Sequence, residues 1–88
     1  MNQRTETELD ANRFLLEMVL KAVDMPEPAT LGDAERHAEI LVERVRHVRL
    51  AILGALADTR AEDITWRALY LSDQVAENPA DYQAWGQR

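Results

Sequence analysis

Residues 31–58 contain no proline and a single interior glycine, Gly54. Apolar residues recur through this stretch at helical spacing, which predicts one helix of about 27 residues, or about 40 Å at 1.5 Å per residue. Such a helix is long for a chain of 88 residues. Glycine and proline are scarce elsewhere too, and no alternating strand pattern is present. We therefore expect an all-α fold.

The sequence predicts three helices, at about 6–24, 31–58 and 60–77, followed by a short C-terminal helical turn. Capping boxes mark the three starts: Thr5 or Thr7 with Glu8 or Asp10, Thr30 with Asp33, and Thr59 with Glu62. Pro26 and Pro28 separate helices one and two. Asn78 and Pro79 match the N-cap and first-turn proline of the last turn.

The composition indicates one small acidic domain spanning residues 1–88, with ten Lys and Arg, sixteen Asp and Glu, and a net charge of −6. The chain has no cysteine, which excludes disulfides and thiol nucleophiles and favours the cytosol. The acidic start does not resemble a secretory signal. The longest apolar run, residues 50–57, is far too short to span a membrane. We expect a cytoplasmic protein.

Helix one carries more apolar surface than three helices can easily cover. At 100° per residue its charged residues fall in one stripe about 80° wide, and the rest of its circumference is apolar except mainly for Asn12. On helix two, alternating steps of four and three predict a seam formed by Ala34, Ala38, Leu41, Val45, Val48, Ile52 and Ala55. Residues 50–57 are apolar on every side of that helix.

This excess of apolar surface predicts a homodimeric helical bundle, in which helices one and two of each subunit form a shared four-helix core. The residues assigned to self-association are Leu15, Val19, Val45, Val48, Leu50, Ile52, Leu53 and Leu56. Two alternatives stay open. The chain could be an obligate subunit of a hetero-complex, or it could fold as a monomer that leaves some apolar surface exposed.

Helix three has a predicted core face made of Ile64, Ala68, Leu71 and Val75. Four of the five aromatic residues lie within residues 66–85: Trp66, Tyr70, Tyr82 and Trp85. Two interpretations follow. Either the tail folds back and packs its two aromatic rings on those of helix three, or the four residues form a binding site for another protein.

The sequence contains no pattern typical of catalysis or of a cofactor site. Ser72 is the only serine, and no glycine-rich phosphate loop occurs. His37 and His47 lie ten residues apart on one helix, about 15 Å, so one subunit cannot bring both to one metal. Each follows a carboxylate by four residues, which favours surface ion pairs. We expect no enzyme activity, no cofactor and no metal.

A basic patch of Arg44, Arg46 and Arg49 lies in the middle of helix two, but a pI near 4.8 argues against nucleic-acid binding. The expected function is that of a small acidic helical protein–protein interaction module, an adaptor, regulator or chaperone-like protein that binds itself and another protein. A helical bundle that binds a small apolar ligand or a metal is the remaining alternative, with Asn12 and His37 as its inward-facing polar groups.

Overall fold

The computed structural model describes residues 3–58 and 60–84, with side chains from Thr7 onward. Three α-helices follow one another along the chain: α1 (Gln3–Val23), α2 (Leu31–Ala57) and α3 (Ala61–Glu77). This confirms the predicted all-α, three-helix fold, and the described residues contain no strand. α2 runs antiparallel to α1, because Ala22 lies beside Arg44 whereas Leu16 lies beside Ile52.

The starts of the helices agree only in part with the predicted capping boxes. Thr30 is the N-cap of α2, and its Oγ1 accepts a hydrogen bond from the backbone N–H of Asp33 at 3.1 Å, as predicted. α1 begins three residues before its predicted start, so Thr5 and Thr7 lie within the helix and neither is at its N-cap position. The N-cap of α3 is Arg60, which makes no side-chain cap, while Thr59 lies outside the described residues.

The main core lies where the three helices meet. α3 buries the four residues predicted for its core face, Ile64, Ala68, Leu71 and Val75. α1 contributes Ala11, Leu15 and Ala22, and Phe14, Met18 and Val19 pack against them. α3 packs on both α1 and α2, whereas α1 and α2 approach each other least.

The predicted seam of α2 is covered only in part within this chain, because Ala38, Val45 and Ile52 are exposed. The buried residues of α2 are Ile40, Arg44, Val48 and Ala51, with Ala55 partly buried beside them. Of the predicted seam, Val48 is buried, Ala34, Leu41 and Ala55 are partly buried, and Leu41 packs against Ile40 and its neighbours. The side of α2 that faces both α1 and α3 includes Arg44. Because an arginine interrupts the apolar spacing there, the sequence pattern favours a more hydrophobic side of the helix.

The tail does not form the predicted helical turn. Beyond Asn78 the described chain runs without helix to Ala84, which forms an isolated antiparallel bridge with Pro28. The backbone N–H of Ala29 donates to the carbonyl of Gln83 at 3.0 Å. The end of the tail is thus hydrogen-bonded to the loop between α1 and α2, and this pairing takes the place of the predicted helical turn.

Tyr82 anchors the tail in a second apolar cluster, which it forms with Met25 and Ile40. Its hydroxyl donates a hydrogen bond to the carbonyl of Pro26, and its ring lies edge-on to that of His37 with centroids 5.4 Å apart. Burial raises the pKa of the Tyr82 phenol, and the positive charge of Arg44 opposes this shift. The tail is therefore part of the folded structure.

Arg44 lies between the two clusters. Its guanidinium donates hydrogen bonds to carbonyl oxygens at the C-terminal ends of two helices, those of Ala22 in α1 and Asn78 after α3. Because α1 and α3 end here, the first turns of α2 extend past them and are covered by the tail and the loop. The molecule is accordingly elongated, with extents of 51 × 22 × 16 Å.

Candidate protein–protein interface

An open apolar groove runs between α1 and α2. It encloses about 300 Å³ and is lined by Asn12, Leu15, Leu16 and Val19 from α1 and by Ile52, Ala55 and Leu56 from α2. Six of these seven residues are apolar, so the groove is suited to an apolar surface and offers little to a charged ligand.

Exposed apolar residues extend the groove along α1. Leu9, Leu16, Leu20 and Val23 follow one another at steps of seven, four and three, so they share one side of the helix. Leu16 is 67% exposed and Leu20 is 61% exposed. We call these four residues the α1 strip. α1 thus presents a line of large apolar side chains that its own chain leaves in contact with water.

α2 supplies the opposite wall of the groove. Val45, Ile52 and Leu56 lie on this side of α2, and all three are exposed, Leu56 to 78%. We call these three residues the α2 strip. Arg49 shares this side of the helix, four residues after Val45 and seven before Leu56. The two strips flank the same groove, so they form one continuous apolar surface.

The structure brings together in this groove four of the residues predicted for self-association: Leu15, Val19, Ile52 and Leu56. Val45 extends the same surface along α2. Two predicted residues, Leu15 and Val48, are buried in the core of their own chain. Val48 is therefore a residue of the fold and has no surface to offer a second molecule.

Leu50 and Leu53 lie outside the groove. Leu50 is two residues from Ile52, roughly 160° around the helix, so it projects from the other side of α2. Leu53 lies on the outer flank of the α2 strip, roughly 60° from Leu56. Residues 50–57 are apolar on all sides, and the sequence alone does not show which of those sides faces α1.

Three groove residues are absent from the predicted self-association set: Asn12 and Leu16 of α1 and Ala55 of α2. The signal for them was present, since Asn12 and Leu16 fall in the apolar arc of helix one and Ala55 belongs to the predicted seam of helix two. The sequence does not show from which side α3 packs on α1. That contact buries Leu15 and leaves its neighbour Leu16 exposed.

Polar groups at the groove are few. The exposed Asn12 and Arg49 form no hydrogen bond or ion pair with any residue that the structure describes. At the edge of the α1 strip, Arg13 Nε lies 3.3 Å from Glu17 Oε1, and both side chains are exposed. Arg49 is thus a cation beside an apolar groove without an anion from its own chain.

The predicted aromatic residues that the structure describes, Trp66, Tyr70 and Tyr82, do not form a single site. Trp66 is 69% exposed on α3, and Tyr70 is half-buried with its hydroxyl 2.6 Å from Nδ1 of His47. Tyr82 is buried in the second cluster, so the tail folds back onto α2 and does not cover Trp66 and Tyr70 as predicted. Trp85 lies outside the described residues.

Both histidines contact tyrosine rings. His37 packs against Tyr82 and His47 hydrogen-bonds to Tyr70, in place of the predicted ion pairs with carboxylates four residues earlier. Glu43, the carboxylate expected to pair with His47, forms an ion pair with Arg46 instead. Over residues 3–58 and 60–84, no three His, Asp or Glu side chains come together in a way that could hold a metal ion.

Comparison with protein-family models gives no match, and comparisons with curated proteins and with solved structures give no significant match. Among the described helices, none combines the length and the apolar character needed to cross a lipid bilayer. The groove and its two strips are therefore the feature from which a function can be argued.

Proposed function

We propose that this protein is a small helical protein–protein interaction module that self-associates through the groove between α1 and α2. The observation that carries the proposal is the continuous apolar surface formed by the α1 strip, the groove and the α2 strip. Soluble monomers rarely leave so large an apolar patch uncovered, and an uncovered patch of this kind marks an interaction site.

The surface area supports the same proposal. The chain exposes 6282 Å², whereas a compact monomer of its mass exposes about 5200 Å². The excess is about 1000 Å², and a standard protein–protein interface buries about 800 Å² on each partner. A homodimer that covers the groove would bring the exposed area per chain close to the usual value.

Trp66 supports the hetero-partner part of the proposal, in which the module also binds another protein. It lies on α3 beside Asp63, Arg67 and Tyr70, away from the groove. Tryptophan is enriched at binding hot spots, and an indole left 69% exposed loses much water contact when a partner covers it. An adaptor, regulator or chaperone-like role would use both surfaces, the groove for self-association and Trp66 for the second protein.

Light scattering after size exclusion tests self-association directly. We expect a molar mass of twice 10.0 kDa that falls toward the monomer value on dilution over about a hundredfold range of concentration. A folded monomer at every concentration would refute the proposal.

A matched pair of variants locates the interface. Leu16→Glu places a charge in the groove wall and should yield a folded monomer, since Leu16 is exposed and its loss leaves the core intact. Leu50→Glu makes the same change at an exposed leucine outside the groove and should leave the dimer unchanged. Far-UV circular dichroism checks that both variants remain helical. If Leu50→Glu dissociated the dimer and Leu16→Glu did not, the interface would lie on the side of α2 that carries Leu50 and not at the groove.

A second candidate function is the binding of a small apolar ligand. It is favoured by the size of the groove, about 300 Å³, which is at the lower end of the range for ligand pockets. Native mass spectrometry distinguishes the two functions. A stoichiometric small-molecule adduct on a monomer would favour the ligand, and an unliganded dimer would favour self-association.

A further inference from the structure

The charges around the groove are arranged in a way that specifies how a second copy would dock. Arg49 lies among the apolar residues of the α2 strip and has no partner among the described residues. Glu17 lies at the edge of the α1 strip, three residues before Leu20, and its side chain is 58% exposed. The apolar surface therefore carries on α2 a cation that is unpaired within the described chain and, at the edge of the α1 strip, an anion that Arg13 of its own chain contacts at 3.3 Å and that a second copy can share.

The two charged residues lie at similar heights in the bundle. The hydrogen bond from Arg44 Nη1 to the carbonyl of Ala22, 3.2 Å long, brings these two residues side by side, and the groove contact of Leu16 with Ile52 gives the same register to within two residues. Because α1 and α2 are antiparallel and rise equally per residue, Arg49, five residues after Arg44, is close in height to Glu17, five residues before Ala22. By the same relation Leu56 is close in height to Leu9, and Val45 to Leu20.

Two symmetric ways of pairing the apolar surface are available. If the two-fold axis is parallel to the helices, α1 of one copy lies on α2 of the other and heights are preserved. If the axis is perpendicular to the helices, α1 lies on α1, α2 lies on α2 and heights are reversed. Both arrangements form a four-helix core, and the charges decide between them.

With the axis parallel to the helices, each Arg49 lies opposite Glu17 of the second copy. Leu56 then meets Leu9, and Val45 meets Leu20, so the apolar strips match along their length. With the axis perpendicular and centred on the α2 strip, whose midpoint is within two residues of Arg49, the two Arg49 side chains approach each other in apolar surroundings. Like charges brought together at an interface oppose association.

We propose that a second copy of this chain docks with its α1 antiparallel on α2 of the first, in a two-fold dimer whose axis runs along the bundle and in which Arg49 pairs with Glu17 of the other copy. This inference rests on the proposed self-association and adds its geometry. The ion pair lies at the rim of the interface, so it selects the orientation, while the apolar strips supply most of the affinity.

Charge reversal tests the pair. Arg49→Glu and Glu17→Arg should each raise the dissociation constant of the dimer by about tenfold, because each change places like charges opposite each other twice per dimer. The double variant should return to within about threefold of the unchanged protein. If the double variant raised the dissociation constant by the product of the two single increases, the proposed pairing would be overturned. Arg46→Glu is the control, since Arg46 pairs with Glu43 in its own chain and should leave the dissociation constant unchanged.

Single cysteines test the arrangement independently, because the chain has no cysteine of its own. A mixture of Leu20→Cys and Val45→Cys should form a disulfide-linked heterodimer on oxidation, and Leu16→Cys alone should remain unlinked. Efficient self-linking of Leu16→Cys would show α1 lying on α1 and would overturn this arrangement while leaving self-association intact. A protein that is monomeric at every concentration would instead refute both proposals.

Discussion

The guanidinium of Arg44 donates two hydrogen bonds to the carbonyl oxygen of Asn78, at 3.1 Å from Nε and 2.9 Å from Nη2. Asn78 is the C-cap of α3, and the third bond of Arg44 goes to Ala22 at the end of α1. Arg44 is only 6% exposed and forms no ion pair with a carboxylate of the described chain. Burial lowers the pKa of its guanidinium. The negative ends of two helix dipoles supply the compensation that a carboxylate would otherwise give.

Replacing Arg44 by methionine should destabilise the fold by about 2–4 kcal/mol, because carbonyls of two helix ends lose their buried donors. Urea unfolding measures the change. Arg46→Met is the matched control on the same helix and, being exposed, should cost no more than about 0.5 kcal/mol. Equal stability of the two variants would show that the ends of α1 and α3 do not depend on Arg44.

Tyr82→Phe should destabilise the protein by about 1 kcal/mol, since it removes the hydrogen bond to the carbonyl of Pro26 and keeps the ring. Tyr82→Ala should cost about 3–5 kcal/mol, because it also opens the cluster of Met25 and Ile40. Thermal unfolding followed by circular dichroism gives both values. Trp66→Ala removes a larger but exposed ring and should have a small effect. A similarly small effect of Tyr82→Ala would contradict the structural role of the tail.

The attachment of the tail should weaken in acid. Arg36 Nε and Nη2 donate to the two carboxylate oxygens of Asp81 at 2.9 and 3.1 Å. The hydrogen bond from Arg36 holds the pKa of Asp81 below its ordinary value of 3.8. A carboxyl whose pKa is lower in the folded state stabilises the fold above its unfolded pKa and loses this effect as pH falls through the folded pKa.

Asp81→Asn should therefore lower the melting temperature at neutral pH, and the difference from the unchanged protein should close well below pH 3.8. Asp73→Asn serves as the charge control, since Asp73 is exposed on α3. A melting-temperature difference that is equal in acid and at neutral pH would show that the Arg36–Asp81 pair does not hold the tail.

Gly54→Ala should reveal a coupling between α2 and α3. A Cβ at this position would collide with the guanidinium of Arg67, whose Nε donates to Asp58 at 3.2 Å. Alanine in a helix interior gains about 1 kcal/mol over glycine. Displacing Arg67 from Asp58 should offset most of that gain, so the single variant should be close to neutral.

In an Arg67→Ala background the offset is absent, and Gly54→Ala should gain the full value of about 1 kcal/mol. A double-mutant cycle in urea measures the difference. Equal gains in the two backgrounds would mean that Arg67 moves aside without cost.

Features of the fold that depend on local sequence could be predicted. The cap of α2 needs only Thr30 and Asp33, and the core face of α3 needs only regular spacing from Ile64 to Val75. The burial of Arg44 could not be predicted, because its partners are backbone carbonyls of distant segments and carry no mark in the sequence. The prediction of a helical turn in the tail was wrong for a related reason. The local sequence at Asn78 and Pro79 fits a helical turn as well as it fits an extended tail. The pairing of the tail with Pro28 and Ala29, which are distant in sequence, favours the extended form.

The sequence predicted which two helices would form the candidate interface. It predicted only some of the residues that line it. The apolar arc of α1 showed that some surface would remain uncovered. Leu15 and Leu16 are neighbours of the same residue type, but α3 packs against Leu15 and not against Leu16. One is therefore buried and the other exposed because of tertiary packing, which the local sequence does not reveal. Leu50 and Ile52 present the same ambiguity on α2.

The long helix α2 passes through both apolar clusters, and Arg44 marks the boundary between them. The second cluster packs on α2 before Arg44 and the three-helix core packs on it after Arg44, so we expect amide protection to depend on the tail over residues 31–43 and on the core beyond them. Local opening of the tail would thus expose the first turns of α2 to hydrogen exchange without unfolding the rest. A continuous helix then behaves as two cooperative units, and a step in amide protection at Arg44 is the signature of that division.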